Sequence, residues 1–119
     1  MIIREFYDLE ELEDYYDEKS NTYVINENDV PFIDLVVFGF DLNVKANIRT
    51  CGDIRAENID VLDIKASNIE AENINAENID YYAVCFAYGN IKCKSIQGRV
   101  ENAKHFVLDG TLEVEEDDK

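Results

Sequence analysis

The sequence predicts a mainly β protein: a short β-solenoid of five-residue repeats, with an N-terminal helix and an aromatic C-terminal cap. Isoleucine recurs with a strict period of five at Ile54, Ile59, Ile64, Ile69, Ile74 and Ile79, and Val84 continues the slot. Two positions after each isoleucine stands a small or apolar residue (Ala56, Val61, Ala66, Ala71, Ala76, Tyr81), and immediately before it an Asp or Asn (Asp53, Asn58, Asp63, Asn68, Asn73, Asn78). An α-helix cannot use this spacing, because a step of five residues turns the side chain through about 500° and spreads the isoleucines round every side. A strand uses part of it, since residues two apart point the same way. The two remaining positions then turn the chain, and short polar side chains suit a corner. Each unit is one short extended face and one corner. Four faces would close a coil of about twenty residues, with coils stacked at the inter-strand distance of ~4.8 Å. On that count Glu57 lies beside Glu77, and Asp60 beside Asp80.

The chain is read as one domain, 1–119, long enough to bury roughly two-thirds of its unfolded surface. Residues 1–20 form an acidic helix: Phe6, Leu9, Leu12 and Tyr16 fall at spacings of three and four within EFYDLEELEDYYDEK. Residues 21–50 supply lead-in strands, NTYVIN and VPFIDLVVFGFDLNVKANI, with Pro31 at an edge and Gly39 and Gly52 at bends. The pentad repeat occupies 51–84. Residues 85–112 are the cap, where Tyr88 and Phe106 join Tyr81, Tyr82 and Phe86 to close a core whose open edge would invite polymerisation. Residues 113–119 are an acidic tail.

The pentads resemble those of pentapeptide-repeat proteins over Cys51 to about Cys85. That resemblance implies a square coil. In that family the small residue lies two before the central apolar one, whereas here Gly52, Glu57, Leu62, Ser67, Glu72 and Glu77 occupy that slot and the alanine follows instead.

Charge narrows the function. The chain carries 27 acidic and 11 basic residues, a net charge of −16. Free nucleic acid is a poor partner for such a chain, since like charge opposes the counterion release that drives binding; a basic protein surface is a better one. Acids outnumber bases eight to two in residues 1–20 and again in 51–80. Within the repeat, Glu57, Asp60, Glu70, Glu72, Glu77 and Asp80 are the candidate partner-binding residues. The longest apolar stretch is broken by Asp34 and is too short to span a membrane. No secretory signal pattern stands at the N-terminus, and three cysteines are an odd count for a disulfide framework. The expectation is a cytoplasmic protein of a bacterial host cell, monomer or dimer.

Cys85, Cys93 and His105 are the one cluster of soft ligands and the candidate zinc set. The segment YYAVCFAYGNIKCKSIQGRVENAKHFVLDG also resembles the C-terminal part of a group of bacterial and phage β-solenoid proteins, and that resemblance supports the same three residues as ligands. Those proteins often have a cysteine where this chain has Leu108, which leaves the fourth position to Cys51, a carboxylate such as Glu101, or water. No phosphate loop, nucleophile elbow or paired acid and base stands out, so the chain is read as a non-enzyme. A small acidic solenoid is similar to pentapeptide-repeat proteins that imitate DNA, and small acidic phage products, anti-CRISPR proteins among them, use the same strategy. The resemblance implies an inhibitor that blocks DNA loading by a CRISPR-Cas nuclease, whose DNA lies in a positively charged channel. The alternative is a structural or assembly module of a phage or bacterial envelope.

Overall fold

A computed structural model describes residues 3–25 and 33–114. In chain order these form β1 (Ile3–Phe6), a short 3₁₀ helix (Leu9–Tyr15), β2 (Tyr16–Asp17), β3 (Thr22–Ile25), β4 (Leu35–Phe38), β5 (Leu42–Asn43) and β6 (Asn47–Thr50). There follow β7 (Asp53–Arg55), β8 (Asn58–Asp60), β9 (Asp63–Ala71), β10 (Asn73–Asn75), β11 (Asn78–Ala87) and β12 (Ile91–Cys93). The last three are β13 (Ser95–Gly98), β14 (Lys104–Val107) and β15 (Leu112–Val114). Among the described residues all strand pairs are parallel except the hairpin of β2 and β3.

The chain winds as a β-solenoid of about five turns. Each turn has three faces. Face 1 stacks β3, β6, the first half of β9, the first half of β11, and β13. Face 2 stacks β1, β4, β7, the second halves of β9 and β11, and β14. Face 3 stacks β5, β8, β10, β12 and β15. β9 and β11 cross from face 1 to face 2 without leaving the extended conformation.

The register corrects the expected coil. Ile54 stands beside Ile69, Ile59 beside Ile74, and Ile64 beside Ile79, so three pentads close a turn of fifteen residues, not four a turn of twenty. Glu57 therefore adjoins Glu72, whose N–H donates to the Glu57 carbonyl at 2.6 Å, and Asp60 adjoins Asn75. The expected pairs Glu57–Glu77 and Asp60–Asp80 do not form. Three inward rows meet on one axis, and the six isoleucines are each 1% exposed. The alanine slot is buried too, with Ala56 half-buried.

The Asp/Asn slot works by hydrogen bonding, not by left-handed backbone. Among the described residues only Asn21, in the β2–β3 turn, has a positive φ outside glycine. Asn73 Nδ2 donates to Asn58 Oδ1 (2.8 Å), and Asn58 Nδ2 to Asp41 Oδ1 (3.0 Å). Equivalent bonds join Asn78 to Asp63 (2.8 Å) and Asn68 to Asp53 (2.9 Å). An amide both donates and accepts, so it can bridge the coils on either side of it.

The flanks extend the stack. The stretch from Leu35 to Thr50 is not one long strand but β4, β5 and β6, one on each face; Pro31 lies outside the described residues. The N-terminal helix is a 3₁₀ helix of seven residues, much shorter than the amphipathic pattern suggests. Asp8 caps it in a capping box with Glu11, and Leu12 is buried while Leu9 and Tyr16 stay exposed. At the other end the aromatic cluster is present, and the cap is itself a turn of solenoid: β13 and β14 add to β11, and β15 to β12. An extra residue at Tyr82–Ala83 shifts the register, so Val84 turns outward and Cys85 takes the isoleucine slot beside Ile69. The aromatic Tyr81 fills an alanine slot, and the next turn accommodates it with Gly98, where a Cβ would lie 2.9 Å from the Tyr81 ring and 2.2 Å from Ala103 Cβ.

Candidate functional site

The six acidic residues singled out in the repeat encircle the solenoid. Glu70 lies on face 2 and Asp80 on face 1, both at outward positions of their strands, with Asp60 outward on face 3. Glu57 and Glu72 stack at the corner between faces 2 and 3. Glu77 lies at the next corner, between Leu62 and Lys94.

Half of them are neutralised locally. Arg99 grips Asp80 through two hydrogen bonds, Nε to Oδ1 at 3.0 Å and Nη2 to Oδ2 at 3.2 Å. Lys94 Nζ lies 3.8 Å from Glu77 Oε1, and Arg55 Nε lies 3.8 Å from Glu70 Oε1. Glu70 also accepts the Tyr88 hydroxyl at 2.9 Å, a bond that raises the Tyr88 pKa because it favours the protonated phenol. Among the described residues the carboxylates of Glu57, Asp60 and Glu72 have no ion pair or hydrogen bond.

Glu57, Glu70 and Glu72 line one open groove of about 490 Å³, together with Val37, Phe38, Tyr88 and Arg55. Adjacent coils are ~4.8 Å apart, so the Glu57–Glu72 stack holds two like charges at a cost of roughly 1 kcal/mol in water before screening. Three carboxylates against one guanidinium leave the groove with an excess of negative charge. Its apolar walls suit the carbon stem of a lysine or arginine whose charged head reaches the carboxylates.

No protein-family model, curated protein or solved structure matches this chain. The site is thus defined by its own chemistry. Arg55 and Tyr88 escape a reading of spacing alone, because each meets Glu70 only through the register, Arg55 fifteen residues earlier and Tyr88 eighteen later. Knowing that three pentads close a turn would have found Arg55.

The sequence-assigned zinc ligands are partly brought together. Cys85 and His105 are register neighbours on face 2, while Cys93 is on face 3. Cys85 is fully buried, with Ile69 and His105 as its register neighbours, and its thiol is pushed up to about 12, first by burial and then by the nearby Cys93. Burial raises Cys93 as well. The Tyr81 hydroxyl engages His105 Nδ1 at 2.7 Å. Among the described residues no group of three or more His, Cys, Asp or Glu side chains is set to hold a metal. Cys51 is exposed at the corner between faces 1 and 2. Among the described residues no helix is long and apolar enough to cross a membrane.

Proposed function

We propose that the protein is a non-enzymatic acidic inhibitor of a nucleic-acid-processing enzyme, with a CRISPR-Cas nuclease in a bacterial cytoplasm as the favoured target. It docks its acidic groove on a basic region that would otherwise receive DNA. The observation that supports this most is the unneutralised stack of Glu57 over Glu72, beside Glu70, on a scaffold whose backbone is tied coil to coil. A rigid display of charge loses little entropy on docking. The net charge of −16 adds long-range attraction to a basic surface and speeds encounter.

The test is DNA loading by Cas nucleases in the presence of the wild type and of two charge-reversed proteins. Glu57→Lys with Glu72→Lys should weaken inhibition about ten-fold or more, because both carboxylates are exposed and unpaired. Glu77→Lys alone should change it much less, since Lys94 already offsets that charge. Equal potency for the Glu57/Glu72 protein and the wild type would refute the groove as the docking surface. Zinc on Cys85, Cys93 and His105 is a separate proposal: elemental analysis of protein purified without chelator should find one zinc per chain, and well under one would overturn it.

A second reading, a structural module that assembles end to end, is favoured by the last turn. Leu112 and Val114 of β15 are 36% and 40% exposed, Leu108 is 67% exposed, and among the described residues β15 pairs with β12 alone. Sedimentation across a concentration series separates the two, because an assembly module grows and an inhibitor stays a discrete monomer or dimer.

A further inference from the structure

We propose that face 1 carries a binding site for a small phosphate monoester, built on Arg49, Lys65 and Arg99. Arg49 and Lys65 are register neighbours on adjacent coils, both outward and exposed. Among the described residues neither has an ion pair or a hydrogen bond. In a chain with 27 acidic residues, two stacked and unneutralised cations are against expectation. Ordinary surface pairing is available on the same face and goes elsewhere: Asp80, the register neighbour of Lys65, is held by Arg99. That ion pair occupies Nε and one Nη2 bond of Arg99 and orients its guanidinium, whose remaining donors are free to serve a ligand.

All three cations line a single groove of about 460 Å³. Its other walls include Ile25 and Ala66 and the ring of Tyr82, which is 52% exposed because the bulge in β11 pushes it outward. The volume falls in the range of small-ligand sites, which pair an apolar lining with a few placed charges. Guanidinium groups match the oxygens of a phosphate, and with Arg99 offset by Asp80 the two unpaired cations, Arg49 and Lys65, match the charge of a dianion better than that of a single carboxylate. The aromatic and aliphatic walls fit a ring-bearing body on the phosphate. A polyanion is disfavoured by the net charge of −16. A small ligand feels chiefly the cations within a few ångströms, since charges beyond ~10 Å are screened.

This site lies on a different face from the Glu57–Glu72 groove, so its failure and that of the inhibitory reading are separate results. The probe is phenyl phosphate, titrated calorimetrically into the full chain at low ionic strength, with inorganic phosphate as the arm that lacks a ring. Saturable binding is expected, weakened about ten-fold or more in Arg49→Gln with Lys65→Gln. Arg55→Gln on face 2 should bind as the wild type does. Tyr82→Ala should weaken phenyl phosphate and leave inorganic phosphate unchanged. Both glutamine substitutions face solvent and remove a like-charge pair, so the melting temperature should hold or rise; should the double variant nonetheless misfold, Lys65→Gln alone carries the comparison. Non-saturating heats up to about 10 mM phenyl phosphate, or equal affinity in the folded glutamine variant, would overturn the site.

Discussion

At the scale of the residue, the structure separates side chains that the sequence presents as equivalent. Ile69 sits between Ile54 and Cys85 in the middle of its row and is 1% exposed. Ile69→Ala should cost about 2–5 kcal/mol in urea unfolding, and Ile69→Asp should leave the chain unfolded, because it buries an unpaired charge. A folded Ile69→Asp protein would be incompatible with the axis described. The cysteines divide in the same way. Cys51 is exposed and should react at once with a thiol reagent, whereas Cys85 and Cys93 should react only on unfolding. The Cys85 pKa is raised from 9.0 to about 12 in the folded chain. The unfolded chain therefore gives up this proton first as pH rises. Stability from this group is complete below the ordinary thiol value and is lost through the window up to about 12, by up to about 4 kcal/mol. Urea titrations between about pH 8 and about pH 11 should show that decline, and Cys85→Ala should make it shallower, leaving the part due to Cys93 and Tyr81, which burial also raises.

At the scale of the element, the repeating unit is a coil of three short strands joined at hydrogen-bonded corners. Asn73 and Asn75 stand two residues apart in β10, and both are exposed. Asn73 donates to Asn58 and accepts from the Asn90 N–H at 2.9 Å, while the Asn75 side chain has no such bond among the described residues. Asn73→Ala should therefore cost about 1–3 kcal/mol, since it strips partners from both neighbouring coils. Asn75→Ala should stay within about 0.5 kcal/mol of the wild type. Thermal or urea unfolding of the two variants side by side decides the matter, and equal losses would mean that the corner ladder does not stabilise the stack. The coil lengthens toward the C-terminus, from fifteen residues between Ile64 and Ile79 to twenty between Cys85 and His105. The bulge at Tyr82–Ala83 starts this change. It puts Cys85 on the axis and Tyr82 in the face 1 groove.

At the scale of the whole molecule, charge is distributed by the winding. Face 1 presents Arg49 and Lys65, while the corner between faces 2 and 3 presents Glu57 and Glu72. A target that takes the acidic groove should thus be met by one side of the solenoid. Inhibition should weaken steeply as ionic strength rises, because exposed charges are screened beyond ~10 Å at about 0.1 M salt. A potency unchanged between about 0.05 M and about 0.5 M salt, measured on the same DNA-loading reaction, would point to the apolar walls of Val37, Phe38 and Tyr88 instead.

The sequence by itself determined the class of fold. A period of five with an apolar residue in one slot and a buried small residue two later fits only an extended, repeatedly turning chain, and the six isoleucines follow directly from it. The Asp and Asn slot was legible as special, but not as a corner: Asp53, Asn58, Asp63, Asn73 and Asn78 each open a strand and Asn68 lies within β9, and their work is hydrogen bonding between coils. The number of faces was not legible. Each pentad specifies its own strand and turn, but whether three or four close a coil depends on how the inward rows pack across the axis. Every outward neighbour depends on that number. With fifteen residues per turn, Arg55 meets Glu70, Lys65 meets Asp80 and Glu57 meets Glu72; with twenty, none of these pairs would exist. The acidic groove is made of the first and third of those pairs, and the face 1 site of the equally register-dependent neighbours Arg49 and Lys65, which is why only the tertiary structure could place them.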